Sequence, residues 1–227
     1  MTSFVLKVIA AVSMFIDHSK YITPDLNNYI TVFLGRISFP LFCFLLVEGY
    51  THTRDFNKYV KRIFIMAIVS QVPFFLFRTL TSTFKLLNIC FSLLIGLIAM
   101  RGIDKGKNLF VKIIVPTVCV VCSQLLKTDY GAYGIILIIS LFVFRENNLY
   151  RNISFGVINA VYYLRQLWLT NLIKNAELII VIGLIGALSS LIFINLYNGK
   201  EGRKSKFLYW FYPLSLIFVV SINFLIK

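Results

Sequence analysis

The sequence predicts an all-α protein, a polytopic transmembrane helical bundle with about nine spans and a cytoplasmic N-terminus. Composition is the first observation: of 227 residues, 59% are hydrophobic, 16% are aromatic and only 14% are charged. A soluble domain is about half apolar and about one quarter charged. The other two observations are long apolar runs and a concentration of Lys and Arg in alternate segments between them. This pattern excludes a soluble enzyme, a disordered chain and a secreted disulfide scaffold.

The apolar runs are separated by charged or turn-forming clusters, and most approach the ~20 residues that cross a bilayer. They cover residues 3–20, 29–50, 60–78, 86–101, 108–126, 131–145, 152–169, 176–196 and 207–226. The first contains Lys7 but has no basic segment before it and no clear cleavage site, which favours a retained span over a signal peptide. The sixth is short, so we expect it to be tilted, re-entrant or interfacial. Without a repeat or linker, residues 1–227 are expected to form one integral-membrane domain.

The loop charges predict the orientation of the bundle. One set of alternate loops carries twice as many Lys and Arg residues as the other, and the richer set belongs on the cytoplasmic side. The N-terminus is then inside, and the chain lies in the bilayer of a cytoplasmic membrane. The Lys-, Asn- and Ile-rich usage points to a bacterium. Loop cations also account for the net charge of +14, so nucleic acid is not an expected partner.

Ionisable side chains within apolar runs are costly in a membrane and are candidates for function. Asp17 and His18 close the first run. Adjacent residues of a helix point about 100° apart, so these two side chains do not simply face each other. The alternative is an interfacial helix end, with Lys20 and Tyr21 as its anchors.

Arg36 lies deeper, within the second run, between Gly35 and the helix-kinking Pro40. This neighbourhood favours a bend beside a polar cavity. Asp17 is the expected counter-ion of Arg36, because both residues lie in the outer half of the membrane. The alternative is an Arg36 side chain that extends to the membrane surface.

Glu48 and His52 close the second run at its predicted cytoplasmic end. They are four residues apart and therefore share one helix face. A carboxylate that orients an imidazole makes a general base. The alternative is an ordinary polar pair at a helix end.

Other polar residues in the runs carry weaker signals. Single Asn and Gln residues commonly hydrogen-bond between membrane helices, and this group comprises Gln71, Asn88, Asn159, Gln166 and Asn195. Cys119 and Cys122 have the spacing of a metal or redox pair but no neighbouring His or second Cys pair, which favours core residues. Asp129 opens a turn-rich segment that either lines a cavity or forms a tight loop. The motifs of ATPases, zinc proteases, hydrolases and dinucleotide-binding proteins are absent from the sequence.

Taken together, the motifs resemble those of the TraX family of membrane proteins over nearly the whole chain. The motifs that carry the resemblance are Leu6–Ala10 leading to Met14–His18, Gly35–Pro40, Glu48–Arg54, Tyr59–Arg62, Gln71–Phe74, Asn88–Leu93, Asp129–Gly131 with Gly134, Asn198–Lys200 and Phe211–Pro213. Two positions depart from the family pattern as we know it. Ser215 stands where many relatives carry a His, and Gln71 stands where Glu is common.

The resemblance implies an acyltransferase activity. The family is named for a protein that acetylates the N-terminus of a conjugative pilin, and it is similar in outline to wider transmembrane acyltransferases that use cytoplasmic acetyl-CoA. Acetyl-CoA is therefore the expected acyl donor, and its activated thioester needs no metal or redox cofactor. The acceptor is an amine or hydroxyl, and a peptide N-terminus, a glycan and a small molecule all stay open.

The resemblance and the chemistry of acyl transfer together suggest roles for the candidate residues. His18 matches the usual catalytic histidine late in an early helix, as general base or transient acetyl carrier, with Asp17 as its partner. Arg36 would stabilise developing charge or order Asp17. Glu48 and His52 would line the cytoplasmic access route as a second relay or gate. The cations expected at the CoA phosphates are Lys58, Lys61, Arg62, Lys200, Arg203 and Lys204.

Two other classes of function remain open at this point. The intramembrane Asp, His, Arg and Glu residues could form a proton-coupled transport pathway, although the sequence contains no internal repeat. A non-catalytic membrane assembly factor is the third class, and it predicts that Asp17, His18 and Arg36 tolerate replacement by alanine.

Overall fold

The computed structural model describes residues 1–22, 29–80, 85–170, 176–203, 205 and 207–226. Across these residues the chain folds into nine α-helices without a β-strand. Their bounds are α1 Ser3–Ser19, α2 Tyr29–His52, α3 Phe56–Arg78, α4 Ile89–Lys105, α5 Leu109–Leu125, α6 Gly131–Val143, α7 Asn148–Thr170, α8 Ala176–Asn195 and α9 Phe207–Ile226. The predicted all-helical fold is confirmed.

Four of these helices are long and apolar enough to cross a membrane, judged by length and composition. They are Tyr29–His52, Phe56–Arg78, Glu177–Asn195 and Phe207–Leu225. Outward-facing side chains in these helices include many large apolar ones, such as Ile68, Val72 and Phe218. An apolar exterior of this kind is suited to contact with lipid rather than water.

Polar caps set several helix starts. The Asp55 side chain accepts a hydrogen bond from the backbone N–H of Lys58 at 3.0 Å, so α3 begins four residues before the predicted apolar run. Asn88 caps α4 in the same way through the N–H of Cys90, at 2.9 Å. Such caps satisfy N–H groups that have no partner within the helix.

The short helix α6 is a central element. Its 13 residues span about 20 Å at 1.5 Å per residue, less than the ~30 Å of a hydrocarbon core. It nevertheless packs against α2, α4, α5 and α7, and Ile135, Leu137, Ile138 and Leu141 are almost fully buried. Burial inside the bundle favours a short internal helix over an interfacial one.

Helix α2 runs through the middle of the bundle, and small residues let its neighbours approach closely. A Cβ atom added to Gly35 would lie 2.5 Å from the Cβ and Oδ1 atoms of Asp17 on α1. A Cβ atom added to Gly186 on α8 would collide with the backbone carbonyl oxygen of Phe33 on α2. Glycines at such crossings are a common packing device of membrane helices.

The start of α1 is tied to the loop that precedes α9. The backbone N–H of Ser3 donates to the carbonyl of Lys200 at 2.9 Å, and the N–H of Phe4 donates to Glu201 at 3.0 Å. Gly202 has a φ of +73°, in the left-handed region that favours glycine, and an added Cβ would meet Thr2. This pairing places the loop residue Arg203 beside the first turn of α1.

Candidate active site

His18 lies in the last turn of α1, among aromatic side chains. Its ring centroid is 4.9 Å from that of Phe77 on α3 and 6.3 Å from that of Tyr212 on α9. The Nδ1 atom is buried and makes no hydrogen bond to the described residues. Buried polar atoms in native proteins nearly always have a partner, which makes this nitrogen a candidate contact for a ligand.

An apolar slot leads along α1 towards this histidine. The slot has a volume of about 180 Å³ and lies between α1, α2, α3, α4 and α9. The residues that α1 contributes to it are Phe4, Lys7, Ala11 and Met14. Their spacing of three and four places them on one helix face, and His18 continues that face one turn beyond Met14. His18 itself is not among the described residues that line the slot. Tyr212 both lines the slot and contacts the His18 ring.

One end of the slot is basic. Lys7 from α1 and Arg203 from the loop before α9 both line it. Tyr59 lines it as well, and the guanidinium of Arg62 lies 5.7 Å from the centre of the Tyr59 ring. Because Lys7 and His18 are eleven residues apart on α1, about 16 Å of helix separates the basic end from the histidine.

Asp17 and Arg36 lie close together, as expected, but the direct ion pair of Asp17 is with another residue. Lys20 Nζ is 2.9 Å from Asp17 Oδ1, and Arg36 acts on the carboxylate over a longer distance. The absence of a side chain at Gly35 leaves room for Asp17 against α2. The structure therefore places two cations around one carboxylate.

Tyrosines also surround Arg36. Tyr130, Tyr162 and Tyr163 are all within electrostatic range of its guanidinium. Tyr130 is held by stacking on Phe39, with ring centroids 3.5 Å apart. A guanidinium in such a setting has hydroxyl groups and ring faces as neighbours.

Asp129 joins this cluster from the loop between α5 and α6. It interacts electrostatically with Lys85, Arg36 and Asp17. Burial raises the pKa of Asp129 to about 6, although Lys85 and Arg36 pull it down. The sequence predicted either a cavity-lining segment or a tight loop here, and the structure brings Asp129 within electrostatic range of Arg36.

Glu48 and His52 form a separate polar group. His52 Nδ1 is 3.8 Å from Glu48 Oε2 and 2.9 Å from the Glu48 carbonyl oxygen. The His52 side chain is 68% exposed. Glu48 is within electrostatic range of Arg151 on α7 and of Tyr197 after α8. Neither Glu48 nor His52 is among the described residues that line the slot.

The expected phosphate-binding cations are spread over the same end of the bundle. Arg203 lines the slot and Arg62 lies beside it. Lys58 is exposed and pairs with Asp55 at 3.3 Å, and Lys61 and Lys200 are exposed as well. Lys204 lies outside the described residues.

The two departures from the family pattern occupy structural positions here. Gln71 accepts a hydrogen bond from the Asn88 side-chain amide and donates one to the carbonyl of Leu86, both at 2.8 Å. Ser215 is buried and donates to the carbonyl of Tyr212 at 2.8 Å. Both side chains therefore donate hydrogen bonds to backbone carbonyls, those of Leu86 and Tyr212.

Sequence reasoning missed several residues of this site. Lys7, Tyr59 and Tyr212 line the slot, and the tyrosines around Arg36 come from α7 and the α5–α6 loop. One signal was available: Phe4, Lys7, Ala11, Met14 and His18 repeat at alternating intervals of three and four. A basic residue within such a stripe indicates a lined channel rather than a plain core.

Comparison with known proteins places this arrangement in a family. Residues 3–223 match the family profile described as TraX protein. The chain is 26% identical to a protein of Dichelobacter nodosus named probable fimbrial assembly protein FimC, serogroup H1. That alignment covers 97% of this chain and 95% of the relative. No solved structure shows significant similarity to the chain.

Proposed function

This chain belongs to the TraX family, and from that premise we propose that it is a membrane-bound acetyltransferase. It moves the acetyl group of acetyl-CoA to an amine or hydroxyl acceptor at or across the membrane. The observation that carries the proposal is the buried Nδ1 of His18, which has no hydrogen bond among the described residues and lies one helical turn beyond Met14, the last α1 residue of an apolar slot whose other end is basic.

The slot has the chemistry that a CoA thioester requires. Lys7, Arg203 and Arg62 offer positive charge to the CoA phosphates at the basic end. The apolar walls accept the less polar arm that carries the thioester. The acetyl group then arrives near Tyr212 and His18. Lys58, Lys61 and Lys200 add positive charge near the opening, and Glu48 with His52 acts at the same end as a gate outside the slot.

His18 acts as the base in this scheme. As the acceptor N–H or O–H attacks the thioester carbonyl, its proton passes to the imidazole. The C–S bond breaks when the tetrahedral intermediate collapses, and the imidazolium returns the proton to the leaving thiolate to give CoA-SH. In the two-step alternative, the imidazole itself first takes the acetyl group and then passes it to the acceptor.

Arg36 and Asp17 support the charges of this reaction. The oxyanion of the tetrahedral intermediate is stabilised by a fixed cation in a site that excludes water, and Arg36, one of the two cations around Asp17, supplies that charge. Asp17 in turn holds Arg36 and Lys20 in place. With the N-terminus inside the cell, the donor enters from the cytoplasm and the acceptor approaches from the opposite side of a bacterial inner membrane.

The test uses detergent-purified protein and radiolabelled acetyl-CoA. We expect saturable binding and slow release of free CoA by the wild type. His18→Gln keeps a polar side chain of similar size, so binding and the melting temperature should be retained while CoA release falls at least a hundredfold. Lys107→Gln, an exposed loop residue away from the slot, serves as the matched preparation control.

The result that contradicts the proposal is equally specific. A folded wild-type protein without saturable acetyl-CoA binding rules out the donor, and normal CoA release by His18→Gln rules out the catalytic histidine. His52→Gln is expected to lower release less than tenfold, because that side chain is exposed and lies outside the slot.

The name of the D. nodosus relative favours a second candidate, a fimbrial assembly factor without catalysis. It predicts normal assembly when Asp17, His18 and Arg36 are each replaced by alanine. A complementation assay in a strain that lacks this protein separates the two candidates, because the acetyltransferase requires His18.

A further inference from the structure

A second opening lies at the same end of the bundle as the basic end of the slot. We propose that this opening, here called the basic cleft, binds the phosphate group of a second ligand, independently of acetyl-CoA. The cleft has a volume of about 630 Å³ and its lining is mainly polar. Its lining includes three arginines, Arg54, Arg101 and Arg145, the acidic residues Asp55 and Asp104, and the aromatic Tyr50. None of the residues that line the cleft lines the slot.

The floor of the cleft is aromatic and rigid. The Tyr50 ring packs edge-on against Phe56 and Phe142, with centroid distances of 5.9 and 5.4 Å. The Tyr50 hydroxyl donates to Asp104 Oδ2 at 2.8 Å. These contacts join the ends of α2, α4 and α6 to the first turn of α3 and fix the shape of the cleft.

Arginines are held over this floor by stacking. The Arg101 guanidinium is 4.8 Å from the centre of the Phe56 ring, and the Arg145 guanidinium is 4.6 Å from that of Phe142. A stacked guanidinium keeps its N–H edges free for a planar or tetrahedral anion. Arg145 uses part of this capacity on the carbonyl of Phe142, at 2.9 Å, and on Glu146, at 3.0 Å.

The acidic residues in the cleft are engaged elsewhere. Asp55 accepts the N–H of Lys58 and pairs with its ammonium at 3.3 Å. Asp104 accepts from Tyr50 and lies 3.4 Å from Lys105 Nζ. Among the described residues, neither Arg54 nor Arg101 forms an ion pair with an acidic side chain. Arg101 is within electrostatic range of Asp104 and donates a hydrogen bond to the Tyr50 hydroxyl.

This arrangement suits a phosphate dianion. Among the described residues, the guanidinium groups of Arg54 and Arg101 line one concave space without a carboxylate within ion-pair distance, and the N-terminal turn of α3 forms part of its wall. Cations are expected in cytoplasmic loops of any membrane protein. That rule does not account for a concave site with a rigid aromatic floor. The same chemistry is offered by a soluble phosphate ester and by the headgroup of an anionic phospholipid.

The experiment uses the full chain in phosphatidylcholine nanodiscs, with pyrophosphate as the probe in a calorimetric titration. We expect saturable binding that weakens at least tenfold in the double variant Arg54→Gln/Arg101→Gln. Lys107→Gln removes one exposed cation from the neighbouring α4–α5 loop, outside the cleft, and should change the affinity less than twofold. Nanodiscs that contain phosphatidylglycerol distinguish the sources: a loss of pyrophosphate affinity there identifies the lipid headgroup, and an unchanged affinity identifies a soluble ligand.

Three results would overturn the inference. They are the absence of saturable binding by the folded wild type, unchanged binding by the double variant, and an equal loss in Lys107→Gln. A measurement of acetyl-CoA binding by the same double variant distinguishes failure of this inference from failure of the proposed function. The double variant should bind acetyl-CoA normally, and a parallel loss would make the cleft a part of the donor site instead of an independent one.

Discussion

Replacing Gly35 by alanine tests whether the close contact between α1 and α2 positions Asp17. The new methyl group would lie 2.5 Å from the Cβ and Oδ1 atoms of Asp17 and 2.8 Å from its Cγ atom. The obstacle is the base of a short side chain, which cannot swing aside as a long one can. The two helices must therefore separate slightly, or the carboxylate must leave Lys20 and Arg36.

The magnitude follows from two opposing effects. Alanine is favoured over glycine in a helix by about 1 kcal/mol, whereas overpacking a tight contact costs about 1–3 kcal/mol. Gly156→Ala on α7 isolates the first effect, because nothing lies within 4 Å of its added Cβ. The two variants should therefore differ by about 1–3 kcal/mol, or on the order of 2–12 °C in melting temperature for a chain of this size.

The assay is thermal unfolding in detergent, followed by CoA release under the conditions described above. Gly156→Ala should melt at or slightly above the wild-type temperature with normal release. Gly35→Ala should melt below Gly156→Ala and release CoA more slowly, because Asp17 and Arg36 are displaced. Equal melting temperatures together with normal release by Gly35→Ala would refute the argument that this contact positions the site.

Three further predictions concern the same regions. Burial raises the pKa of Asp129 to about 6, against about 3.9 for an ordinary Asp. The protonated carboxyl of Asp129 therefore stabilises the folded state at pH 4, and this contribution is lost as the pH rises towards 6. Asp129→Asn should flatten the pH dependence of the melting temperature between pH 4 and 6, and it should stabilise the protein at pH 7 by up to about 3 kcal/mol. A constant difference in melting temperature between the two proteins from pH 4 to 8 would contradict this prediction. Asn88→Ala removes two donated hydrogen bonds and a helix cap at a fully buried site, and thermal unfolding should show a loss of about 2–4 kcal/mol; a shift below one degree would be inconsistent with it. Arg203→Gln should weaken acetyl-CoA binding about 5- to 50-fold without changing CoA release at saturation, whereas Lys107→Gln should bind normally; equal affinities in the two variants would exclude the basic end as the phosphate site.

Much of the fold could be predicted because hydrophobic burial and lipid contact leave a direct trace in the sequence. The predicted runs 29–50, 131–145 and 207–226 correspond to helices Tyr29–His52, Gly131–Val143 and Phe207–Ile226. The predicted run 60–78 begins four residues after the observed start of α3 at Phe56. The reason is that the helix-capping Asp55 lies in a charged segment, which a hydropathy search does not recognise as part of a helix. Polar helix ends are therefore set by hydrogen bonding, which a search for apolar runs does not detect.

The candidate site was predictable only in part. Asp17, His18 and Arg36 could be identified because a charge in an apolar run is costly and requires a reason. Their partners could not, since Tyr212 and Tyr163 are ordinary residues of apolar helices until the fold brings them to His18 and Arg36. The direct pairing of Asp17 with Lys20 is local and was visible in the i, i+3 spacing.

The backbone pairing between the first turn of α1 and the loop before α9 has a consequence for biosynthesis. Ser3 and Glu201, which also share a side-chain hydrogen bond of 3.0 Å, are 198 positions apart in the chain. The ribosome therefore delivers one wall of the slot first and the opposite wall, with Tyr212, last. A nascent chain holds His18 without its neighbour Tyr212, so the slot is complete only after translation of the last helix.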